Sequence, residues 1–343
     1  QILCGCGYQH DDQPFIELSW AWASFPDPLY RQLIESYAAR RPEIQIEFDA
    51  VGSGAGILQF MEDEVDFGAS DNAMTDEEVL QVDRGVQSFP MTAGAVVLAY
   101  NLKDAQGNLV RDLKLSRQAY VDIFLGRITS WEDAEISRHN PDADLPNTPI
   151  RVEYRLDSSG TTYVLRQHLS AISDDWRDGP GVGKELTWPV GAGAPKTRGM
   201  ARALRQTPGS IGYVEFGFAR DAGIPMASLE NRSGAFVKPS TESAGAALAS
   251  VKDLTNGSPF TVVDPEGADS YPLVTYSWVL CYQNYDDTEK LSALKKLFRY
   301  CLGEGQRLSA ELGYVPLPEA IVAQAEASID AMRGPESIAA IAP

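Results

Sequence analysis

Ile16, Leu18, Trp20 and Trp22 alternate with Glu17, Ser19 and Ala21 near the start of the chain. A period of two puts the apolar four on one face of a β-strand. Ser24-Phe25-Pro26-Asp27-Pro28 breaks the pattern, and it places Asp27 as an N-cap with Pro28 at the first helical position. Leu29, Leu33, Ile34, Tyr37 and Ala38 then recur at helical spacing. Ile44, Ile46, Phe48 and Ala50 alternate as a second strand that ends at Gly52-Ser53-Gly54-Ala55-Gly56. A short helix is predicted from Gly56 to Met61, and a short buried strand from Val65 to Asp71. Strand–helix–strand–helix–strand is the order of a parallel sheet whose ligand loops lie at the carboxyl ends of its strands.

Further along, residues 94–101 form a near-continuous apolar run, read as a strand crossing into a second domain. Ser116 caps a helix carrying Tyr120, Ile123 and Phe124 on one face, and Gly126 ends it. Residues 138–149 are a Pro/Asn/Asp-rich loop. Ile150, Val152 and Tyr154 form a strand leading to Arg155-Leu156-Asp157-Ser158-Ser159-Gly160-Thr161, and a helix follows from Thr161 to Leu169. Gly191 to Gly193 reads as a flexible loop, Met200 to Arg205 as a helix, Ile211 to Phe218 as a strand and Leu273 to Tyr282 as the return crossing. Leu291 to Leu302 and Ala320 to Met332 are amphipathic helices. Residues 1–13 read as a polar tail and those after Arg333 as irregular. No internal repeat is visible.

The 343 residues suggest about two domains. No run of about 18 apolar residues occurs. With 29 basic against 48 acidic residues the chain carries a formal charge of −19, which argues against nucleic acid as a partner. Cys4, Cys6, Cys281 and Cys301 are the four cysteines. Leu3-Cys4-Gly5-Cys6 resembles a bacterial lipobox with Cys6 as the lipid-bearing residue. A disulfide to Cys281 or Cys301, or an unmodified tail, are the alternatives.

The two glycine turns are the candidate chemistry. Each places small hydroxyl residues and free N–H groups at a helix start, where the unpaired amides and the positive dipole end attract anions. The expectation is that the turns face each other across a cleft and hold one small oxyanion. The global charge repels such a ligand, so binding must come from local dipoles and hydrogen bonds in a shielded site. The three histidines, His10, His139 and His168, form no metal cluster with acidic residues, and no nucleophile elbow is present. A phosphatase or other hydrolase is therefore the weaker alternative, and no cofactor is expected.

Six stretches in order carry a resemblance to a family. They are Gly52 to Gly56, Val65 to Asp71, Asp122-Ile123-Phe124-Leu125-Gly126-Arg127-Ile128-Thr129-Ser130-Trp131, Arg155 to Thr161, Gly209-Ser210-Ile211-Gly212-Tyr213-Val214-Glu215 and Gly313-Tyr314-Val315-Pro316-Leu317-Pro318. Together they resemble the phosphate-binding protein of the bacterial phosphate-specific ABC transporter, over residues 18–332. The resemblance implies an α/β two-domain periplasmic-binding-protein (flytrap) fold with two crossover strands and a ligand cleft between the domains. The first domain would be residues 14–93 plus 274–343, and the second 94–273. It implies phosphate ligands at Ser24, Phe25 (through its N–H), Ser53 and Asp71 from the first domain. Arg155, Asp157, Ser159, Gly160 and Thr161 would come from the second. It further implies a monomer, periplasmic or on the cell surface, delivering inorganic phosphate to ABC permease subunits. A phosphate sensor, or a binder of a related oxyanion or phosphonate, is the alternative on the same scaffold. Ser24 replaces the family's usual threonine. Trp20-Ala21-Trp22-Ala23 replaces its small residues; the indoles are read as core, with a narrowed cleft mouth as the alternative.

Within that set, Asp71 carries the selectivity. An ionised carboxylate can only accept a hydrogen bond. Phosphate near neutral pH has an O–H to give, and sulfate has none. Arsenate is protonated too, so Asp71 gives no ground for rejecting it.

Overall fold

The computed structural model describes residues 15–185, 187–250 and 261–335. The tail with Cys4 and Cys6 lies outside them. Eleven strands are present among the described residues: β1 Ile16–Trp22, β2 Ile44–Ala50, β3 Phe67–Ser70, β4 Val86–Asn101, β5 Lys114–Leu115, β6 Arg151–Arg155, β7 Ala192–Ala194, β8 Ser210–Glu215, β9 Ser228–Glu230, β10 Phe236–Val237 and β11 Val274–Tyr282. Eight join in one sheet of order β2-β1-β3-β11-β4-β8-β6-β7, and β10-β9-β5 form a small second sheet. β1 runs parallel to β2 and β3, as the strand–helix alternation predicts.

The apolar run at 94–101 is the second part of a longer strand. β4 has 16 residues. Val86 to Ala95 pairs with β11, and Val96 to Asn101 pairs with β8. β11 in turn pairs with β3 over Trp278 to Cys281. These two antiparallel strands therefore join a lobe built on β1, β2 and β3 to a lobe built on β6, β7 and β8. A register shift between Ser277 and Trp278 marks the middle of β11.

The Trp20–Trp22 stretch is core, as the alternation implies. Trp20 is 2% exposed and Trp22 fully buried. Trp20 sits 4.5 Å from Phe67 and 4.6 Å from Tyr30 between ring centroids, and Trp22 stacks on Phe48 at 4.7 Å. The indoles face the sheet's own aromatic layer rather than the cleft.

Several local expectations shift. The helix Asp27–Ala38 starts at Asp27, with Pro26 as its N-cap and no side-chain cap. Asp27 is buried and accepts instead from Trp22 Nε1 at 3.2 Å and Arg31 Nε at 2.7 Å. A buried carboxylate bonded to a neighbouring ring and a cation has more to gain than a cap. The helix Ser53–Met61 begins three residues before Gly56, because Gly52 adopts φ +103° and turns the chain there. Gly191 to Gly193 is no loop: Ala192–Ala194 is the sheet's edge strand, paired with β6. β8 ends at Glu215, whose side chain accepts from the Gly217 and Phe218 N–H groups and opens the helix Phe216–Asp221. Cys281 and Cys301 are buried free thiols, and the alternative of a disulfide from Cys4 or Cys6 to either lies outside the described residues. His168 is packed, with its Nε2 2.9 Å from the Tyr120 hydroxyl.

The two indoles differ in one respect. Trp20 Nε1 has no protein partner among the described residues, whereas Trp22 Nε1 donates to Asp27. Losing a made hydrogen bond costs more than losing an unmade one. Trp22→Phe is therefore expected to destabilise the fold by about 1 kcal/mol more than Trp20→Phe, measured by urea unfolding at fixed pH. The reverse order would contradict this assignment.

Candidate functional site

The loops at the carboxyl ends of β1, β3 and β6 converge with the starts of two helices. Ser24 follows β1, Ser53 opens the helix Ser53–Met61, Asp71 follows β3, and Arg155 ends β6 just before the helix Gly160–Ile172. The two glycine turns meet as expected. The Gly54 N–H donates to the Ser158 carbonyl at 3.1 Å. A Cβ on Gly160 would overlap Ser53 Oγ and lie 2.8 Å from Asp71 Cβ, so only glycine fits there. A Cβ on Gly52 would lie 3.0 Å from Asp157 Oδ2.

Arg155 is held rigidly. It is 5% exposed. Its Nε donates to Asp157 Oδ1 at 2.8 Å and its Nη2 to Asp157 Oδ2, a two-point pairing. Nη2 also donates to Ser24 Oγ at 2.9 Å, and Nη1 to Thr197 Oγ1 at 3.1 Å. The Arg155 N–H donates to the Tyr213 hydroxyl at 2.9 Å. Burial pushes the Asp157 carboxyl up, but the hydrogen bonds and charge of Arg155, with the Lys196 N–H, outweigh it and hold the pKa below the usual range. Asp157 thus stays ionised beside its cation, and Arg155 keeps donors fixed rather than mobile.

Asp71 is 2% exposed. Ser277 Oγ donates to its Oδ1 at 3.1 Å, and Tyr30 donates to Ser277 Oγ at 3.2 Å. Ser53 Oγ donates to Oδ2 at 3.3 Å. Burial dominates and lifts the carboxyl from 3.8 to about 7, while the Ser277 bond, the Arg155 charge and the Ser53 bond pull the other way. At neutral pH its proton is therefore readily exchanged, and Asp71 serves as donor or acceptor.

The remaining expected residues are near but differ in what they do. Ser159 caps the helix Gly160–Ile172, its Oγ accepting from the Thr162 N–H at 3.2 Å. Thr161 is buried in that helix's first turn. The Phe25 ring lies in the core against Tyr314, whose hydroxyl donates to the Phe25 carbonyl at 2.7 Å.

Two residues escape the sequence reading. Ser277 reaches Asp71 from β11, 206 positions away. Thr197 stands 2.9 Å from Ser24 Oγ. It is placed by Lys196, which takes φ +54° while its N–H donates to Asp157 Oδ1 at 2.7 Å. A Pro195-Lys196-Thr197 start to a helix was the one local signal for Thr197. Ser277 had none, because it sits within an apolar crossing strand. Among the described residues no group of three or more His, Cys, Asp or Glu side chains could hold a metal ion.

Two lobes joined by two crossing strands, with a polar cleft at the carboxyl strand ends, define a two-domain substrate-binding protein. A family model described as a PBP superfamily domain matches residues 16–300. The phosphate-binding protein PstS of Xylella fastidiosa is 36% identical over 314 residues, which is 91% of this chain and 84% of that protein. PstS of Haemophilus influenzae is 36% identical over 306 residues, 89% of this chain and 90% of its own. The chain belongs to the PBP superfamily and, within it, to the PstS family of phosphate-binding proteins. Its fold is also that of a high-affinity periplasmic phosphate-binding protein, PfluDING, solved with phosphate bound. There the TM-score is 0.72 at 20% identity, covering 91% of this chain and 93% of that one.

The raised Asp71 pKa has a sign that can be measured. The folded state keeps its proton above pH 3.8, where the unfolded chain loses it. Stability from this group is therefore full below about pH 4 and is lost as pH rises toward about 7. In phosphate-free buffer, wild type is expected to lose more stability than Asp71→Asn over that window in urea unfolding. Parallel pH profiles would overturn the assignment.

Proposed function

We propose that this chain is a monomeric, extracytoplasmic receptor that binds inorganic phosphate and delivers it to the permease of an ABC importer. The observation that carries the reading is the buried Asp71 carboxyl, bonded to Ser53 and Ser277 and facing the Gly160 turn. An anion site with a carboxyl inside it suits a ligand that brings its own proton. Where Asp71 is ionised, above about pH 7, sulfate would set an unpaired carboxylate against a dianion, a repulsion of several kcal/mol. The relatives named for phosphate binding, and the absence of any described helix long and apolar enough to cross a membrane, agree with the reading.

In the proposed complex the ligand oxygens take donors from Ser24, Ser53, Ser159 and Thr161. The N–H groups of Phe25, Gly160 and Thr161 add fixed donors, and Arg155 supplies the cation. Asp157 orients Arg155 and keeps its charge compensated. The lobes correspond to residues 14–93 plus 274–343 and residues 94–273, which the pairing of β4 first with β11 and then with β8 supports. Closure would be a hinge motion that completes the ligand shell from both lobes. The ties already spanning the lobes, Arg198 to Asp27 at 3.0 Å and Lys184 to Glu78 at 3.2 Å, fit that role. We read the chain as a reversible binder rather than a hydrolase.

Calorimetry with phosphate and sulfate tests the reading. Wild type is expected to bind phosphate and to reject sulfate above about pH 7, with sulfate competing better as pH falls and Asp71 gains its proton. Asp71→Asn is expected to lose the discrimination, and unchanged sulfate rejection in that variant would sink the proton argument. Arg155→Ala removes the one cation of the proposed ligand set and is expected to weaken phosphate binding by about a hundredfold or more, on the scale of a buried charged hydrogen bond. A binding constant within a few-fold of wild type would show that the dipoles suffice.

A further inference from the structure

The helix Lys196–Gln206 carries Arg198, Arg202 and Arg205 at spacings of four and three, so they share one face. All three are exposed, while Thr197, Met200, Ala201 and Leu204 are buried on the other side. Arg198 pairs with Asp27. Arg202 and Arg205 make no ion pair among the described residues. Two unpaired guanidinium groups thus stand side by side on one helix face of a chain with 48 acidic residues to 29 basic ones.

Two cavities adjoin this face. One, of about 540 Å³, is the cleft mouth and reaches Ser24. The other, of about 580 Å³, is a groove bounded by Pro28, Phe218 and Leu312. Arg198 and Arg202 line both, and Arg205 lines the groove. The row thus runs continuously from the outer groove to Ser24.

The local charge is opposite to the global one. At the mouth Arg31, Lys196, Arg198 and Arg202 stand against Asp27 and Asp49. Asp27 is already matched by Arg31 at 2.7 Å and Arg198 at 3.0 Å. In the groove, burial lifts the Glu215 carboxyl to about 8 against the pull of the Gly217 and Phe218 N–H groups, so it is largely neutral at pH 7. Asp221 is paired with Arg220 at 2.8 Å. In the groove nothing cancels Arg202 and Arg205, and at the mouth Asp49, which makes no ion pair among the described residues, is outnumbered by the four cations.

We propose that the Arg198–Arg202–Arg205 row is a capture track: it collects small oxyanions from solution and feeds them to the Ser24 side of the cleft. A chain of charge −19 repels a dianion at long range, and a positive row beside a low-dielectric opening focuses the field where the ligand must enter. The track takes any small dianion, and selection falls to Asp71 deeper in. The proposal rests on the phosphate reading above, and it concerns the rate of association rather than the identity of the ligand.

Stopped-flow measurement of inorganic phosphate association and dissociation tests it, in wild type and in a variant carrying Arg202→Gln and Arg205→Gln. Both side chains are exposed, so the fold is expected to persist, and a matching melting curve checks this. At about 10 mM salt, where the Debye length is ~30 Å, the variant is expected to associate about three- to tenfold more slowly, within the range of electrostatic steering. Its dissociation rate should stay at the wild-type value. At about 1 M salt, with a Debye length of ~3 Å, the two should converge. The salt dependence should also weaken: association slows with salt in wild type and slows less in the variant, where Arg31, Lys196 and Arg198 alone oppose the global repulsion. Arg202→Glu with Arg205→Glu should extend the loss. Equal association rates at low salt, or a change confined to dissociation, would overturn the capture track while leaving phosphate binding intact. A wild-type chain that takes up no phosphate would overturn the functional reading and the track with it.

Discussion

Two backbones approach each other at the cleft with no side chain between them, and the rest of the site depends on that approach. Gly54 gives its N–H to the Ser158 carbonyl, and Gly160 lies against Ser53 and Asp71. A single added methyl group at Gly160 would force those three segments apart. Because the turns come this close, helix starts from opposite lobes share one small polar volume. Hydroxyls, amide donors and one carboxyl then act on the same few atoms. The chain's acidity is tolerable for the same reason: what a ligand meets at the end is a set of fixed donors, shielded from most of the surface charge.

Within that volume one ion pair and one lone carboxyl do different work. Arg155 and Asp157 form a rigid, compensated unit whose cost of burial is offset by mutual contact and by Ser24, Thr197 and Tyr213. Asp71 has no cation bonded to it. Its burial is relieved by hydroxyls from Ser53 and Ser277 and by the charge of Arg155, which together do not outweigh desolvation, and its pKa rises. One carboxylate is thereby fixed in charge and serves geometry. The other has a labile proton.

Most of the fold was legible from periodicity. β1 and β2 run over the residues whose alternation predicts them, and the parallel order follows from the helix between them. The site was legible wherever a residue sat in a local motif, as Ser53, Asp71, Arg155, Asp157 and Gly160 do. What stayed hidden was set by distant partners. Asp27 reads as a cap but is drawn inward by Trp22, Arg31 and Arg198. Ala192–Ala194 reads as a glycine loop but pairs with β6, because an edge strand needs a neighbour more than a pattern. Ser277 looks like any small residue in an apolar run. Its role exists only because β11 passes beside the end of β3, and pairing across the chain leaves no local trace.

That passage of β11 also orders the way the chain can be built. β3 and the first ten residues of β4 find their pairing in β11, which lies some two hundred residues later in the sequence. The second part of β4 is served by β8, much nearer in the chain. During synthesis, then, the lobe bearing Arg155 can complete its sheet first. The lobe bearing Ser53 and Asp71 waits with an open strand edge until the final stretch emerges. The half that carries Arg155 can mature early. The half that carries Asp71 is finished last, and an unfinished molecule holds the arginine without the buried carboxyl.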